Sequence, residues 1–299
     1  MAGGYSAVDL SRLPAPAVVE SLDYEAIFAA MLADLQARDP AFSALVESDP
    51  AYKILEVAAY RELILRQRVN DAARAVMLAY AIGSDLDNLA ALFGVTRLIV
   101  VEADPDAFPP VEEVLESDVA LRRRTQLSLE GFSTAGPSGA YIFHALSADG
   151  DVLDVSAISP SPGDVLVTVL SATGDGTASP DLIAAVTAAL NAQDVRPLCD
   201  NVVVQGAQII PYTITATLRF FEGPDRAVVL AAAQAAAAAY VEEQHRVGRD
   251  VTISGVYAAL HQPGVQRVDL AAPMSNLVIS TSQASWCTAI TLTDGGTDE

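Results

Sequence analysis

Apolar positions recur with two different periods along the chain. Up to about residue 150 they return every three or four positions, the helical spacing; beyond it they alternate or gather in β-branched blocks, the strand spacing. Asp23 is a good N-cap, and Ile27, Met31 and Leu35 share one face, so a helix is expected over 23–38, stopped by Asp39-Pro40. A short helix around Phe42–Val46 follows. Ser48-Asp49-Pro50 opens a much longer helix, with Pro50 at its first position, running to about Ala81 and closed by Gly83. At 1.5 Å per residue it would be roughly 48 Å long. Its apolar seam is Leu55, Ala58, Leu65, Val69, Ala72, Val76 and Tyr80, with Arg61, Arg68, Asp71 and Arg74 off it. So narrow a stripe on so long a helix calls for partner helices in a bundle rather than for a globular core.

Asp85 is expected to cap a helix over Leu86–Phe93, ended by Gly94. Residues 102–112 are acidic and proline-rich and read as a linker or exposed loop. A helix follows Ser117-Asp118 and carries Arg122, Arg123 and Arg124; another runs through Tyr141, Phe143 and Leu146. Strands are then expected at Val152–Ile158, Val165–Leu170 and Val202–Val204, with an Ala-rich helix from Ser179-Pro180-Asp181 to about Asn191. A long strand, Ile209–Phe221, a helix from Asp225 to about Gln244, a shorter helix from Ser254 and closing strands at Val265–Leu270 and Ser285–Leu292 complete the chain. The fold class is therefore α+β: a helical bundle-forming region followed by two α+β units of β-β-α-β type. The expected organisation is an extended arm over 1–22, helices over 23–100, an acidic linker with helices over 101–150, a first α+β unit over 151–206 and a second over 207–299.

Composition narrows the function. Of 299 residues 52% are hydrophobic but only 6% aromatic, so small side chains dominate the interior. The net charge is −21, from 38 acidic and 17 basic residues. Such a surface repels phosphate backbones and anionic membranes, which argues against direct nucleic-acid binding, and the longest apolar stretches are too short or too interrupted by charge to span a bilayer. The first residues have neither the basic nor the apolar stretch of a signal peptide, so synthesis in the cytoplasm is expected, with Cys199 and Cys287 reduced and buried.

The residues that could carry chemistry are few. Phosphate loops, dinucleotide fingerprints, zinc-protease helices and nucleophile elbows are absent, and no cofactor is expected. His144, His245 and His261 lie apart from one another and from both cysteines, so no metal site is signalled; His144 reads as a core or interface residue and His245 as a helix-end cation. Asp149, Asp151 and Asp154 form the best acidic cluster, read as solvated or capping groups rather than a catalytic pair. Arg122-Arg123-Arg124 is the one basic run; it reads equally as a solvated face or as a set of partners for another subunit's carboxylates.

Three runs together resemble a known family. They are Asp49-Pro50-Ala51-Tyr52-Lys53-Ile54-Leu55-Glu56 continuing through Arg61-Glu62-Leu63 and Arg66 to Ala72; Gly83-Ser84-Asp85-Leu86-Asp87-Asn88-Leu89-Ala90-Ala91-Leu92-Phe93-Gly94-Val95; and Arg122-Arg123-Arg124 leading to Thr134-Ala135-Gly136, Ser147-Ala148-Asp149 and Pro160-Ser161-Pro162-Gly163-Asp164-Val165. They look like the baseplate J-like proteins of contractile-tailed phages and phage-tail-like bacteriocins. The resemblance implies a structural, non-enzymatic wedge subunit of the tail baseplate. Its implied partners are a second copy of itself, an I-like tail protein, a lysozyme-like sheath initiator, neighbouring wedges, and the hub and spike. It also implies a shared helical bundle from the N-terminal region and wedge-to-wedge pairing by the C-terminal one. The alternatives are a tail-associated glycan hydrolase and a receptor-binding module.

Overall fold

The computed structural model describes residues 10, 13, 14, 16–133, 135–223 and 225–297. Part of the arm expected over 1–22 lies outside them. The chain is α+β and falls into two compact units that divide between Thr96 and Arg97.

The first unit is helical. Helix α1, Tyr24–Arg38, starts where Asp23 accepts hydrogen bonds from the Glu25 and Ala26 amides. A single 3-10 turn, Pro40–Phe42, stands near the short helix expected at Phe42–Val46. Helix α2, Pro50–Ala75, packs on α1 through Ala59, Tyr52, Leu55 and Leu63 against Ile27 and Phe28. Asp49 occupies the N-cap position, but its carboxylate accepts from the Val46 amide instead of from the helix. Asn70, buried, clamps the chain preceding α1: it accepts from the Glu20 amide and donates to the Glu20 carbonyl.

Helix α2 ends at Ala75, short of the expected Ala81, and Gly83 does not close it. The chain turns at Val76, buries Ala81, and re-enters a helix, α3 (Gly83–Ala91), with Gly83 at φ +52°. No breaker stands between Val76 and Ala81; burial of Ala81, Leu86 and Ala90 overrides local propensity. Val76 and Tyr80 consequently lie past the end of α2, with the Tyr80 hydroxyl donating to the Leu13 carbonyl.

The second unit opens with strands β1 (Ile99–Val101) and β2 (Val114–Leu115), an antiparallel hairpin. The stretch at 102–112, expected as a linker or exposed loop, is the hairpin's loop. Helices α4 (Asp118–Gly131, capped by Ser117) and α5 (Ser138–Leu146) follow. Strands β3 (Val152–Ile158) and β4 (Asp164–Ser171), helix α6 (Pro180–Leu190) and strand β5 (Asn201–Gly206) give a mixed sheet in the order β3-β4-β5. Val155, Val167 and Val169 pack on Leu182, Val186 and Leu190 of α6 and on Tyr141 and Ala145 of α5.

The last sheet is built from β6 (Gln208–Phe220), helices α7 (Arg226–Gln244) and α8 (Ile253–Leu260), and strands β7 (Val265–Ala272) and β8 (Gln283–Thr297), in the order β7-β6-β8. Alternate residues of β6, Ile214, Ala216, Leu218 and Phe220, are buried against Ala233 and Ala237 of α7 and Val256 and Leu260 of α8. The order of elements is β-α-α-β-β. In both sheets, however, the central strand has one antiparallel and one parallel neighbour. The sheets meet through Leu170, Ala207 and Ala284, through the Val247 amide donating to Asp154, and through Ser156 donating to the Thr281 carbonyl.

Candidate functional site

Helix α2 is the most exposed apolar element. Of the seam expected along it, only Leu55 is engaged with α1. Ala58, Leu65, Val69 and Ala72 stand open; Leu65 is 63% and Val69 58% exposed. A second row, Val57, Tyr60 and Ile64, is also open and lies at three- and four-residue spacing on another flank. Sequence reading passed over it because Arg61 and Arg68 separate the two rows on the helical wheel. A helix with one apolar face against α1 and two more facing outward has the pattern of an interior bundle member, not of a surface helix.

The arginine run is only partly a surface feature. Arg124 is buried and makes a two-pronged pair with Glu116, its Nε and Nη2 lying 2.8 and 2.6 Å from the two carboxylate oxygens. Arg123 reaches Asp154 at 2.6 Å. Two of the three cations offered to a partner are thus spent within the chain, because α4 lies with this face on the hairpin and on β3. Arg122 is half-buried.

The acidic cluster is likewise committed. Asp149 accepts from the Asp151 amide, Asp151 from the Ser171 hydroxyl, and Asp154 from Arg123 and the Val247 amide. The Asp175 carboxylate accepts from the Thr177 hydroxyl and, next in weight, from the Thr177 amide, which together hold it below its ordinary value. His144 bonds the Gly131 carbonyl. His245 ends α7, but its ring is buried: a carbonyl can only accept, so Nδ1 donates to Ser285 O at 2.6 Å, and the ring meets Trp286 edge-on. Of the cysteines, Cys199 is exposed, contrary to expectation, and Cys287 is half-buried, its thiol pushed up by burial. Among the described residues no three His, Cys, Asp or Glu side chains could hold a metal ion, and no helix is long and apolar enough to cross a membrane.

The β1–β2 hairpin presents the most exposed large side chain. Phe108, at its tip, is 102% exposed and flanked by Asp104, Asp106, Glu112 and Glu113. A lone aromatic between acids and prolines was its only sequence signal. The base of the hairpin is anchored: Arg97 donates to the Glu116 carbonyl and to Asp118, and Glu116 accepts from the Leu98 amide.

Each part of this architecture has a counterpart among known proteins. Residues 47–104 match the Baseplate J-like N-terminal domain, 133–206 the Baseplate J-like central domain and 212–293 the Baseplate J-like protein C-terminal domain. Baseplate protein J of Escherichia phage P2 is 50% identical over 299 residues, which cover 98% of this chain and 99% of that protein. With all three portions matched in order and half of all positions identical along nearly the whole length, this chain belongs to the baseplate J-like family.

Proposed function

We propose that this chain is a structural, non-enzymatic wedge subunit of a contractile-tail baseplate, residing in the tail of the virion or tail-like particle after synthesis in the host cytoplasm. The likeness to a phage baseplate protein along the whole chain supports the role. The two open apolar rows on α2 support the mechanism. In this reading α2 is completed by helices of an I-like tail protein and of a second copy of the chain. The C-terminal sheet contributes wedge-to-wedge pairing, a lysozyme-like sheath initiator docks on the bundle, and the ring of wedges surrounds hub and spike. The glycan-hydrolase alternative is disfavoured by the Asp149, Asp151 and Asp154 group. Its carboxylates hold a turn, a hydroxyl and an arginine.

The test is co-expression with an I-like tail protein. A stable complex containing both chains is expected, with mass showing two copies of this one. A well-behaved monomer indifferent to that partner would overturn the reading.

A further inference from the structure

Two features of the second unit fit one another across copies of the chain. The first is the acidic hairpin tip with Phe108. Its loop is pre-ordered: Asp104 and Val111 exchange backbone hydrogen bonds at 2.9 Å, and the Asp104 carboxylate accepts from the Asp106 and Ala107 amides. From Leu98 to Leu121 the sequence has no Lys or Arg, so the tip is an aromatic ring in a purely acidic collar. An aromatic held on an ordered turn loses little conformational freedom on docking, the condition for an interface anchor.

The second is a recess of about 410 Å³ between α7, the ends of β3 and β4, and β8. Its apolar walls include Leu153, Val241, Ile290 and Trp286, the last braced by the buried His245 ring. Arg246 and the exposed Glu242 also line it. The Nη1 of Arg246 donates to the neighbouring His245 carbonyl at 2.7 Å, and Arg246 forms no ion pair with any described residue. Asp154 and Glu242 act on this half-buried guanidinium from one side and Arg123 and Arg249 from the other, two charges of each sign, so its own charge is not cancelled by its neighbours. The recess is of a size that takes a phenyl ring, whose burial is the dominant apolar contribution at such contacts.

We propose that Phe108 of one copy seats in the Trp286 recess of a second copy, with Asp104 or Asp106 reaching Arg246. The contact joins two different patches; made once per pair of copies it is head-to-tail, and repetition of such a contact closes a ring or extends a filament. This rests on the baseplate reading for its setting, a ring of wedges in which copies of the chain meet.

Trp286 is the chain's one tryptophan, which makes it a built-in reporter. Raising the concentration of the full chain should shift Trp286 emission to shorter wavelength as the recess is filled. Phe108→Ala should weaken that transition about tenfold or more, while Phe108→Tyr keeps it. A benzophenone side chain placed at position 108 should photo-cross-link to the 238–246 or 286–290 segment of another copy. An unchanged transition in Phe108→Ala overturns the proposal, as do cross-links only to another protein or to another face of the copy. The I-like complex formed through α2 should survive Phe108→Ala, so loss of that complex in the unaltered chain would sink the wedge reading and not this contact.

Discussion

Arg124 and Glu116, eight residues apart, form a two-pronged ion pair whose side chains are 5% and 6% exposed. Arg124 also reaches the Ser147 hydroxyl at 3.3 Å, and the same carboxylate accepts the Leu98 amide at 3.2 Å. The pair thus fastens α4 to the hairpin base and to the end of α5.

Removing one partner leaves the other charge buried without compensation. Arg124→Met or Glu116→Leu alone should cost about 3–5 kcal/mol of stability. The double variant Arg124→Met with Glu116→Leu should recover most of that, because an apolar pair of similar volume avoids desolvating two charges. Chemical denaturation of the four proteins of the cycle measures it. A double variant as unstable as the sum of the singles would show that the pair is not the unit of stability.

A different outcome is expected on α2. Leu65 is 63% exposed in the isolated chain, so Leu65→Asp should change monomer stability by no more than about 0.5 kcal/mol. In an assembled bundle the same carboxylate would be buried unpaired, and the complex should fail. Ile64→Asp, on the second row, should do the same. Size-exclusion chromatography with the I-like partner, alongside thermal unfolding of the monomer, separates the two effects. Normal complex formation by both variants would remove α2 from the interface.

The contrast between these residues shows what the sequence carries. Local signals were legible: Asp23, Ser117, Ser179 and Asp225 each cap a helix, because a cap needs only the next two or three amides. The start of α2 at Asp49-Pro50 was legible for the same reason, but its end was not: Val76 and Tyr80 of the expected seam lie past Ala75. What escaped are pairings set by the folded topology. Nothing near Arg123 announces Asp154, 31 positions on, and nothing near Asn70 announces the Glu20 backbone, 50 positions back. The His245 ring turned inward to a carbonyl 40 residues away, where local reasoning saw only a helix end. Phe108 carried no periodicity at all, and its importance lies in its exposure, which is a property of the fold.

The hairpin's attachment can be tested at Gly150. A Cβ there would stand 2.4 Å from the Ile99 carbonyl oxygen, a backbone atom that cannot swing aside. Gly150→Ala should therefore displace β1 and cost about 1–3 kcal/mol as local overpacking. Hydrogen exchange should speed up over residues 98–116 while the Val167 and Val169 amides in the core of β4 stay protected. Uniform acceleration across the unit would mean that the hairpin is not a separate element of stability.

Tyr141 offers a pH-dependent test. Its ring is buried, and its hydroxyl donates to Asp200 at 2.5 Å. Burial, then the hydrogen bond, then repulsion by the carboxylate all raise its ionisation above the ordinary tyrosine value of 10.0. The folded state therefore holds this proton more tightly than the unfolded state. The stabilisation is complete below pH 10 and is lost as the pH rises from the ordinary value towards the raised one. Tyr141→Phe should lower stability by about 1.5–3 kcal/mol at neutral pH, the range for a hydrogen bond to a charged group. It should also flatten the alkaline loss, since Phe has nothing to ionise. Urea midpoints measured from pH 8 to 11.5 for both proteins decide it. The two curves should converge above pH 10; parallel curves would mean that the Tyr141 proton is no better held in the fold than in the unfolded chain.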